Sequence, residues 1–294
     1  MNLTALLGKK SDLLGIDIGS RTVKVVHVSR KGSSPELRFC GMTETGDFTS
    51  LKNYLSQQGL SGLQAATCLE DPSLKIRKVE VPDMPEGDLK EAVKWKIREV
   101  LDGPAEEFVV RSSLLEKIST PDMKKLMLVG YAIRRKAVAE MIKKMAASGV
   151  RATFIEPGSV SFAAAVERAS PSGTDWVAGV DLGAAHVVMV IVGQGKLYYS
   201  RPLPGIASSG DEGYNQRLAA EMQNTIDTFT VSFKVDRLQR IFLGGGGATR
   251  PGLTDYLSAN LAVETKVLDP FGEMAGKPDE PHLYGQALSL AMSS

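Results

Sequence analysis

Asp17 and Asp181 each close an apolar run and open an Asp-x-Gly turn. They do so inside two stretches that align without a gap, GIDIGSRTVKVV over 15–26 and GVDLGAAHVVMV over 179–190, with five of twelve positions identical. A carboxylate at a strand end, followed by closely spaced backbone N–H groups, suits a hydrated cation and phosphate oxygens. The same residues also suit a turn whose aspartate only satisfies neighbouring amides. One copy alone favours that plainer use; two matched copies favour a pair of turns that clamp a polyphosphate. A third stretch, RIFLGGGGATRPGL over 240–253, reads as a strand, a four-glycine turn and a helix from near Pro251 with Leu253, Leu257 and Leu261 on one face. Thr249 and Arg250 break the GxGxxG dinucleotide fingerprint. Backbone stripped of side chains admits a planar base or a ribose, or simply lets a helix pack close.

Other chemistries find little support. The histidines are His27, His186 and His282, and no HExxH, GxSxG or GxxxxGK[ST] pattern occurs. Cys40 and Cys68 lie in unrelated segments without CxxC spacing, which implies neither a disulfide framework nor a zinc site and fits a reducing compartment. With 35 Lys plus Arg against 34 Asp plus Glu, the formal charge of +1 lacks the basic excess of a general nucleic-acid binder. Residues 1–10 are too short an apolar stretch for a signal or spanning helix, and the most apolar window, 176–193, is interrupted by Asp181 and His186, so no transmembrane segment is expected.

The elements that must position these turns follow from the repeat. At 294 residues, 43% hydrophobic and 23% charged, the chain is a folded protein of two domains or two lobes. The first copy spans 164 residues (15–178) and the second 116 (179–294), so the first lobe holds an insertion of about 48 residues. Between 74 and 156 the pattern predicts strand 74–81, helix 86–101, strand 107–116, strand 124–133, helix 134–148 and strand 152–155, a split βαβ order. Leu89, Ala92, Val93, Ile97 and Val100 form the apolar stripe of the first helix; Val138, Met141, Ile142 and Met145 form that of the second, which Gly149 ends. Ferredoxin-like RNA binders share this order but need stacked aromatics, and KLMLVGYAI over 125–133 offers only Tyr131. Residues 74–155 carry 17 Lys plus Arg against 12 Asp plus Glu, so positive charge gathers in the predicted insertion, either as a solvated face or as a bias toward an anionic surface or acidic partner. Trp95 falls off the stripe of its helix, where packing against another subdomain is the plainer expectation and a partner groove the alternative.

The two Asp-x-Gly turns and the glycine turn with its Pro-Gly-Leu helix resemble, in order and spacing, the phosphate and adenosine loops of the actin/Hsp70/FtsA nucleotide-binding superfamily. Within it, VKWKIR at 93–98, FIEP at 154–157 and VLDPF at 267–271 make the chain similar to the PilM family, actin-like (FtsA-like) proteins of type IV pilus assembly. The resemblance covers almost the whole chain. It implies an α/β, actin/Hsp70-like (ribonuclease H-like) two-lobed fold with an inserted FtsA/PilM-type 1C (SHS2-like) subdomain. The corresponding divisions are an N-terminal extension, 1–11; lobe 1 (1A-like), 12–73 and 157–178; the 1C-like insertion, 74–156; and lobe 2 (2A/2B-like), 179–294.

The resemblance also implies a site. Asp17 and Asp181 would hold Mg2+ through water, while Gly19, Ser20, Arg21 and Thr22 on one side and Gly183, Ala184 and Ala185 on the other would wrap the phosphates of ATP, with Lys24 adding positive charge. Gly245, Gly246 and Gly247 would face the base, and a helix over 212–233 would bring Arg217 and Glu221 to the ribose. The family's second loop usually carries Thr, whereas this chain has Ala184-Ala185-His186, so slow or absent ATP turnover is expected and no residue is assigned to catalysis. The implied partners are the N-terminal cytoplasmic peptide of a bitopic PilN-like inner-membrane protein, in a groove between subdomains 1A and 1C, and other pilus platform proteins. The implied location is the cytoplasm, peripheral to the inner membrane. A nucleotide-free scaffold like those of type II secretion or MSHA pilus systems is the alternative, and a sugar kinase of the superfamily a distant third.

Overall fold

The computed structural model describes residues 12–30, 34–45, 47–120, 123–170, 175–206 and 213–293; the N-terminal extension over 1–11 lies outside them. The first repeat contributes β1 (Leu13–Ile18), β2 (Thr22–Ser29), β3 (Glu36–Glu44), α1 (Phe48–Gln57) and β4 (Gln64–Leu69), and, further along, α3 (Arg135–Ala147), β8 (Arg151–Pro157) and α4 (Gly158–Ala169). The second contributes β9 (Val177–Leu182), β10 (Val187–Gly193), β11 (Lys196–Pro202), α5 (Tyr214–Phe233), β12 (Arg240–Gly244), α6 (Leu253–Leu261), β13 (Glu264–Val267) and α7 (Gly285–Met292). Between β4 and α3 lie β5 (Lys75–Pro82), α2 (Glu86–Ile97), β6 (Phe108–Thr120) and β7 (Met123–Arg134).

The two repeats build the same sheet twice, in the orders β3-β2-β1-β4-β8 and β11-β10-β9-β12-β13. In each, an antiparallel meander of three strands is extended by two strands parallel to the first. The central strands β1 and β9 read LLGIDI and VAGVDL, apolar without alternation, because helices cover both faces of each sheet. One face of the first sheet packs on α1 and α3 through Leu51, Leu55, Met141 and Met145; the matching face of the second packs on α5 and α6 through Leu218, Met222, Phe229 and Leu257.

On the remaining faces the lobes exchange helices. α4, from the first repeat, lays Phe162, Ala163 and Val166 on the second sheet beside Val190, Val192 and Phe242. α7, from the second, lays Ala287, Leu288 and Ala291 on the first sheet beside Val26 and Val28. The first glycine of each repeat makes this approach possible. A Cβ on Gly15 would overlap the Ala287 carbonyl oxygen and lie 2.5 Å from Ala291 N, and one on Gly179 would lie 2.9 Å from Phe162 Cε1.

The inserted unit differs from the six-element split βαβ expected over 74–156. Its sheet has three strands, in the order β5-β7-β6, with α2 on one face. The closing strand β8 instead pairs in parallel with β4 in the first sheet, and α3 packs with α1 on that sheet. The duplicated topology explains this: β4-α3-β8 is the counterpart of β12-α6-β13, and the insertion interrupts it between β4 and α3. The charge moves with the helix. Residues 74–134 hold 12 Lys plus Arg against 11 Asp plus Glu, whereas 135–155 hold five against one, so the positive charge belongs to α3 and β8 of the first lobe. The insertion's second face meets the second lobe, where Leu115, Met127 and Val129 join the core containing Tyr198 and Phe229, and Lys196 Nζ donates to Leu115 O at 2.7 Å. Trp95 is not packed against a subdomain: it is 62% exposed, on an open groove of about 510 Å³ with Glu91, Arg98 and Pro104. Among the described residues no helix is long and apolar enough to cross a membrane.

Candidate functional site

The carboxyl ends of β1, β4 and β9 come together between the lobes, where Asp17, Glu70 and Asp181 act on one another, the place where open α/β sheets offer room for ligands. In the first hairpin Asp17 stands opposite Lys24, and the turn closes through Gly19 N to Thr22 O at 3.0 Å. The end of β3 pins that turn from outside, because Thr45 Oγ1 donates to Gly19 O at 2.7 Å and Thr45 N to Arg21 O at 2.8 Å. Asp17 is 7% exposed; its Oδ2 lies 3.3 Å from Lys24 Nζ and its Oδ1 accepts from the Cys68 thiol at 3.5 Å. Ser20 and Arg21 are exposed at the tip and Thr22 is half-buried.

In the second hairpin Gly183 starts a turn so tight that a Cβ there would sit 2.7 Å from His186 O; Ala185 and His186 are exposed. Asp181 Oδ2 accepts from Gln286 Nε2 of α7 at 2.9 Å, so the exchanged helix holds the second carboxylate. The glycine turn lies directly against this hairpin. Gly245, at φ +75°, has no room for a side chain because Asp181 Oδ1 would be 2.5 Å from its Cβ, and Gly247 N donates to Leu182 O at 3.0 Å. Gly245 and Gly247 thus owe their bareness to the protein itself. Gly246 faces open space within 4 Å and is the position where bare backbone is offered outward.

Two further acidic residues lie near Cys68, beside Asp17. Glu70 follows β4 and Glu156 lies near the end of β8. Burial, then the negative charge of Asp181, pushes the Glu70 carboxyl up to about 7, although the N–H groups of Gly158 and Ser159 favour its charged form and Asp17 opposes it. Glu70 keeps surface open to solvent while protein surrounds it on most sides, as a cleft-lining group does. Burial also raises the Glu156 carboxyl, against a hydrogen bond from Ser161. The Asp181 carboxyl is pushed up to about 6 by burial and by Asp17, with Gln286 and Lys24 pulling the other way. Asp17 and Asp181 therefore face one field. The sequence signal for the two missed acids is an apolar strand ending in an acid, LED at 69–71 and IEP at 155–157.

The helix residues fare differently. The Glu221 carboxylate is paired with Arg201 of β11, Nη2 to Oε2 3.1 Å, and Arg201 also donates to Thr225 Oγ1 at 3.0 Å, so Glu221 serves a link between α5 and the sheet. Arg217 lies at the start of α5, where a Cβ on Gly213 would stand 3.3 Å from its Nη1. The helix runs from Tyr214, after Gly213, while position 212 lies outside the described residues, and the Arg250 guanidinium lies 3.9 Å from the centre of the Tyr214 ring. Arg250 follows the glycine turn directly.

Among the described residues no three His, Cys, Asp or Glu side chains converge closely enough to hold a metal directly. The carboxyls of Asp181 and Glu70 are raised first by burial and then by neighbouring negative charge, and a hydrated divalent cation beside them would offset the second of these causes.

Twin sheets with exchanged helices and acid-ended strands around a shared cleft define a two-lobed protein of the actin-like ATPase fold. A Bacteroides thetaiotaomicron protein described as having that fold and unknown function aligns over 100% of this chain and 99% of its own, with TM-score 0.53 and 9% identity. Residues 212–294 match the family model described as type IV pilus assembly protein PilM. The structure of a PilM-PilN type IV pilus biogenesis complex aligns over 97% of this chain and 98% of its own, with TM-score 0.81 and 20% identity. Over residues 212–294 the chain is similar to the PilM family, and over its length it has the actin-like fold. The cytoplasmic domain of EpsL, an inner membrane component of the type II secretion system of Vibrio cholerae, aligns over 97% of this chain and 96% of its own, with TM-score 0.55 and 11% identity. No curated protein matches the sequence significantly.

Proposed function

We propose that the chain is an ATP-binding actin-like adaptor of type IV pilus assembly. The reading rests on one observation above others: Asp17 and Asp181, at matched ends of β1 and β9, lie within each other's field, and the glycine turn packed on Asp181 leaves Gly246 open. In this reading Gly19, Ser20, Arg21, Thr22, Gly183, Ala184 and Ala185 present backbone N–H groups to phosphate oxygens, and Lys24 turns from Asp17 toward them. Asp17 and Asp181 hold hydrated Mg2+, which offsets phosphate charge. Gly246 offers its face to the base, and Arg217 and Arg250 border it. Glu221, committed to Arg201, is the weakest member of the set.

Turnover is slow or absent, because the second turn supplies no hydroxyl and the nucleotide's work is to fix the lobes. The partner is the N-terminal cytoplasmic tail of a PilN-like inner-membrane protein, which brings the chain to the membrane. The structural likeness to PilM in complex with PilN supports this. Calorimetric titration with Mg-ATP, with Asp17→Ala and Gly246→Ala beside the native chain, tests the nucleotide part. Both variants should lose affinity, and a flat signal from the native chain would leave the second reading, a nucleotide-free scaffold, which Ala184 and Ala185 in the second turn favour. Titration with a PilN-like N-terminal peptide tests the partner, and absence of binding would remove it.

A further inference from the structure

The seam between the insertion and the second lobe carries an open groove of about 490 Å³. Residues 76–78 of β5 line one wall in unbroken succession, and residues 198–202 of β11 line the other. Neighbouring side chains of a strand point to opposite faces of its sheet, so a hollow that touches consecutive residues lies along the strand's edge. Both edges are open among the described residues: β5 pairs only with β7 and β11 only with β10, each as the last strand of its sheet. Backbone groups on such an edge lack ladder partners and accept an added strand.

The side chains set the chemistry of that strand. Val129 and Tyr198, both buried, make an apolar floor, and Ile76 and Phe233 are half-buried beside it. Arg77, Lys78 and Arg201 stand on the walls, and among the described residues no acidic one lines the groove. Glu80 and Glu221, which pair with Lys78 at 3.0 Å and with Arg201 at 3.1 Å, lie outside the lining. Arg77 has no carboxylate partner among the described residues; its guanidinium folds back on the Ile76 carbonyl oxygen at 2.9 Å, along the chain of β5 itself. The Lys78 ammonium crosses the seam, donating to Ser232 O at 3.4 Å and lying 4.7 Å from the centre of the Phe233 ring. Val231, at the same end of α5, is 80% exposed, the most open large apolar side chain among the described residues.

We propose that this groove is the docking site of an extended acidic segment of a protein partner: its backbone adds to the edge of β5, its carboxylates meet Arg77 and Arg201, and an apolar side chain covers Phe233. Because the two walls belong to different parts of the chain, the occupant clamps the insertion to the second lobe. The site shares no residue with the Asp17 and Asp181 hairpins and does not depend on the nucleotide reading.

The test is panning of a phage-displayed library of random peptides on the full chain, with Arg77→Glu for counter-selection. Recovered sequences should carry an excess of Asp and Glu spaced by apolar residues, and their affinity as free peptides should fall as salt rises. Truncating one anchoring cation in Arg77→Ala should weaken them by about threefold to tenfold. Arg77 is exposed and bonds only to an adjacent carbonyl, so its variants should fold. Ser200→Glu acts from the opposite wall, where its like charge should weaken binding by about tenfold even if β5 is disturbed in the first pair. Lys143→Glu on the exposed side of α3 makes the same change of net charge far from the groove lining and should leave affinity within about twofold. Recovery of no peptide, recovered sequences without the acidic excess, full affinity for Ser200→Glu, or an equal loss in Lys143→Glu each overturn the proposal. Co-sedimentation of the native chain but not of Arg77→Glu with phosphatidylglycerol vesicles, when no acidic peptide binds, also overturns it and gives the surface to lipid.

Discussion

Adding one methyl group at Gly15 tests whether the lobes are joined as described. The new Cβ would overlap the carbonyl oxygen of Ala287, 2.9 Å from its carbonyl carbon and 2.5 Å from Ala291 N. All three are backbone atoms of α7, so no rotamer change relieves the contact and the helix must retreat from β1 by about an ångström. Overpacking costs about 1–3 kcal/mol where side chains can yield. Here the retreat also opens contacts of Ala287, Leu288, Leu290 and Ala291 with the first sheet, so Gly15→Ala should lose about 3 kcal/mol or more. The matched change Gly179→Ala meets side-chain atoms of Phe162 and Val166, which can turn aside, and should cost less. Gly246→Ala meets nothing within 4 Å and should stay within about 0.5 kcal/mol of the native chain. Urea unfolding followed by circular dichroism ranks the three. Equal midpoints for Gly15→Ala and Gly246→Ala would refute the close seating of α7 on β1.

Three further outcomes are expected. Asp181 holds its proton to about pH 6 in the folded chain against an ordinary 3.8, so between those values the folded state binds more protons and stability falls as pH rises, with no further change above. The urea midpoint of the native chain minus that of Asp181→Asn should therefore decline from pH 4 to pH 6, and a rising or flat difference contradicts the burial of Asp181 beside Asp17. Gln286→Leu removes the donor at 2.9 Å that favours the charged carboxylate, so the pH at which Asp181 ionises, followed by carboxyl NMR, should move up; a downward move would show that Gln286 plays no such part. Trp95→Ala should leave the urea midpoint within about 0.5 kcal/mol of native, since the ring is 62% exposed, and a larger loss would place the ring in a core.

The helix stripes were legible because period settles them. Val93 and Ile97, Met141 and Met145, and Leu253, Leu257 and Leu261 are all buried as their spacing predicts. The twin hairpins were legible because the motif recurs. What period cannot express is which sheet a strand joins: 152–155 has the composition of a strand wherever it pairs, and only the parallel register with β4 places it in the first lobe. Ile142, which spacing places in the stripe of its helix, and Trp95, which falls off its stripe and was expected to pack on another subdomain, are both left exposed by the fold. Glu70 and Glu156 escaped notice because an acid after an apolar strand is common, and only the convergence of strand ends brings Glu70 beside Asp17 and Asp181 and both acids beside Cys68.

The pentapeptide Gly-x-Asp-x-Gly, used once per lobe, does three jobs in five residues. Its first glycine admits the helix exchanged from the other lobe, its aspartate turns into the cleft, and its second glycine closes the hairpin. The exchanged helix α7 then reaches back with Gln286 to hold the aspartate of the opposite lobe. Any ligand that changes the charge between Asp17 and Asp181 acts directly on the elements that set the angle between the lobes. The insertion spans the same joint, tied to the second lobe by Lys196 and by the Lys78 ammonium 4.7 Å from the Phe233 ring, while its chain enters and leaves from the first. A change of lobe angle must therefore shear the insertion against one lobe or carry it along.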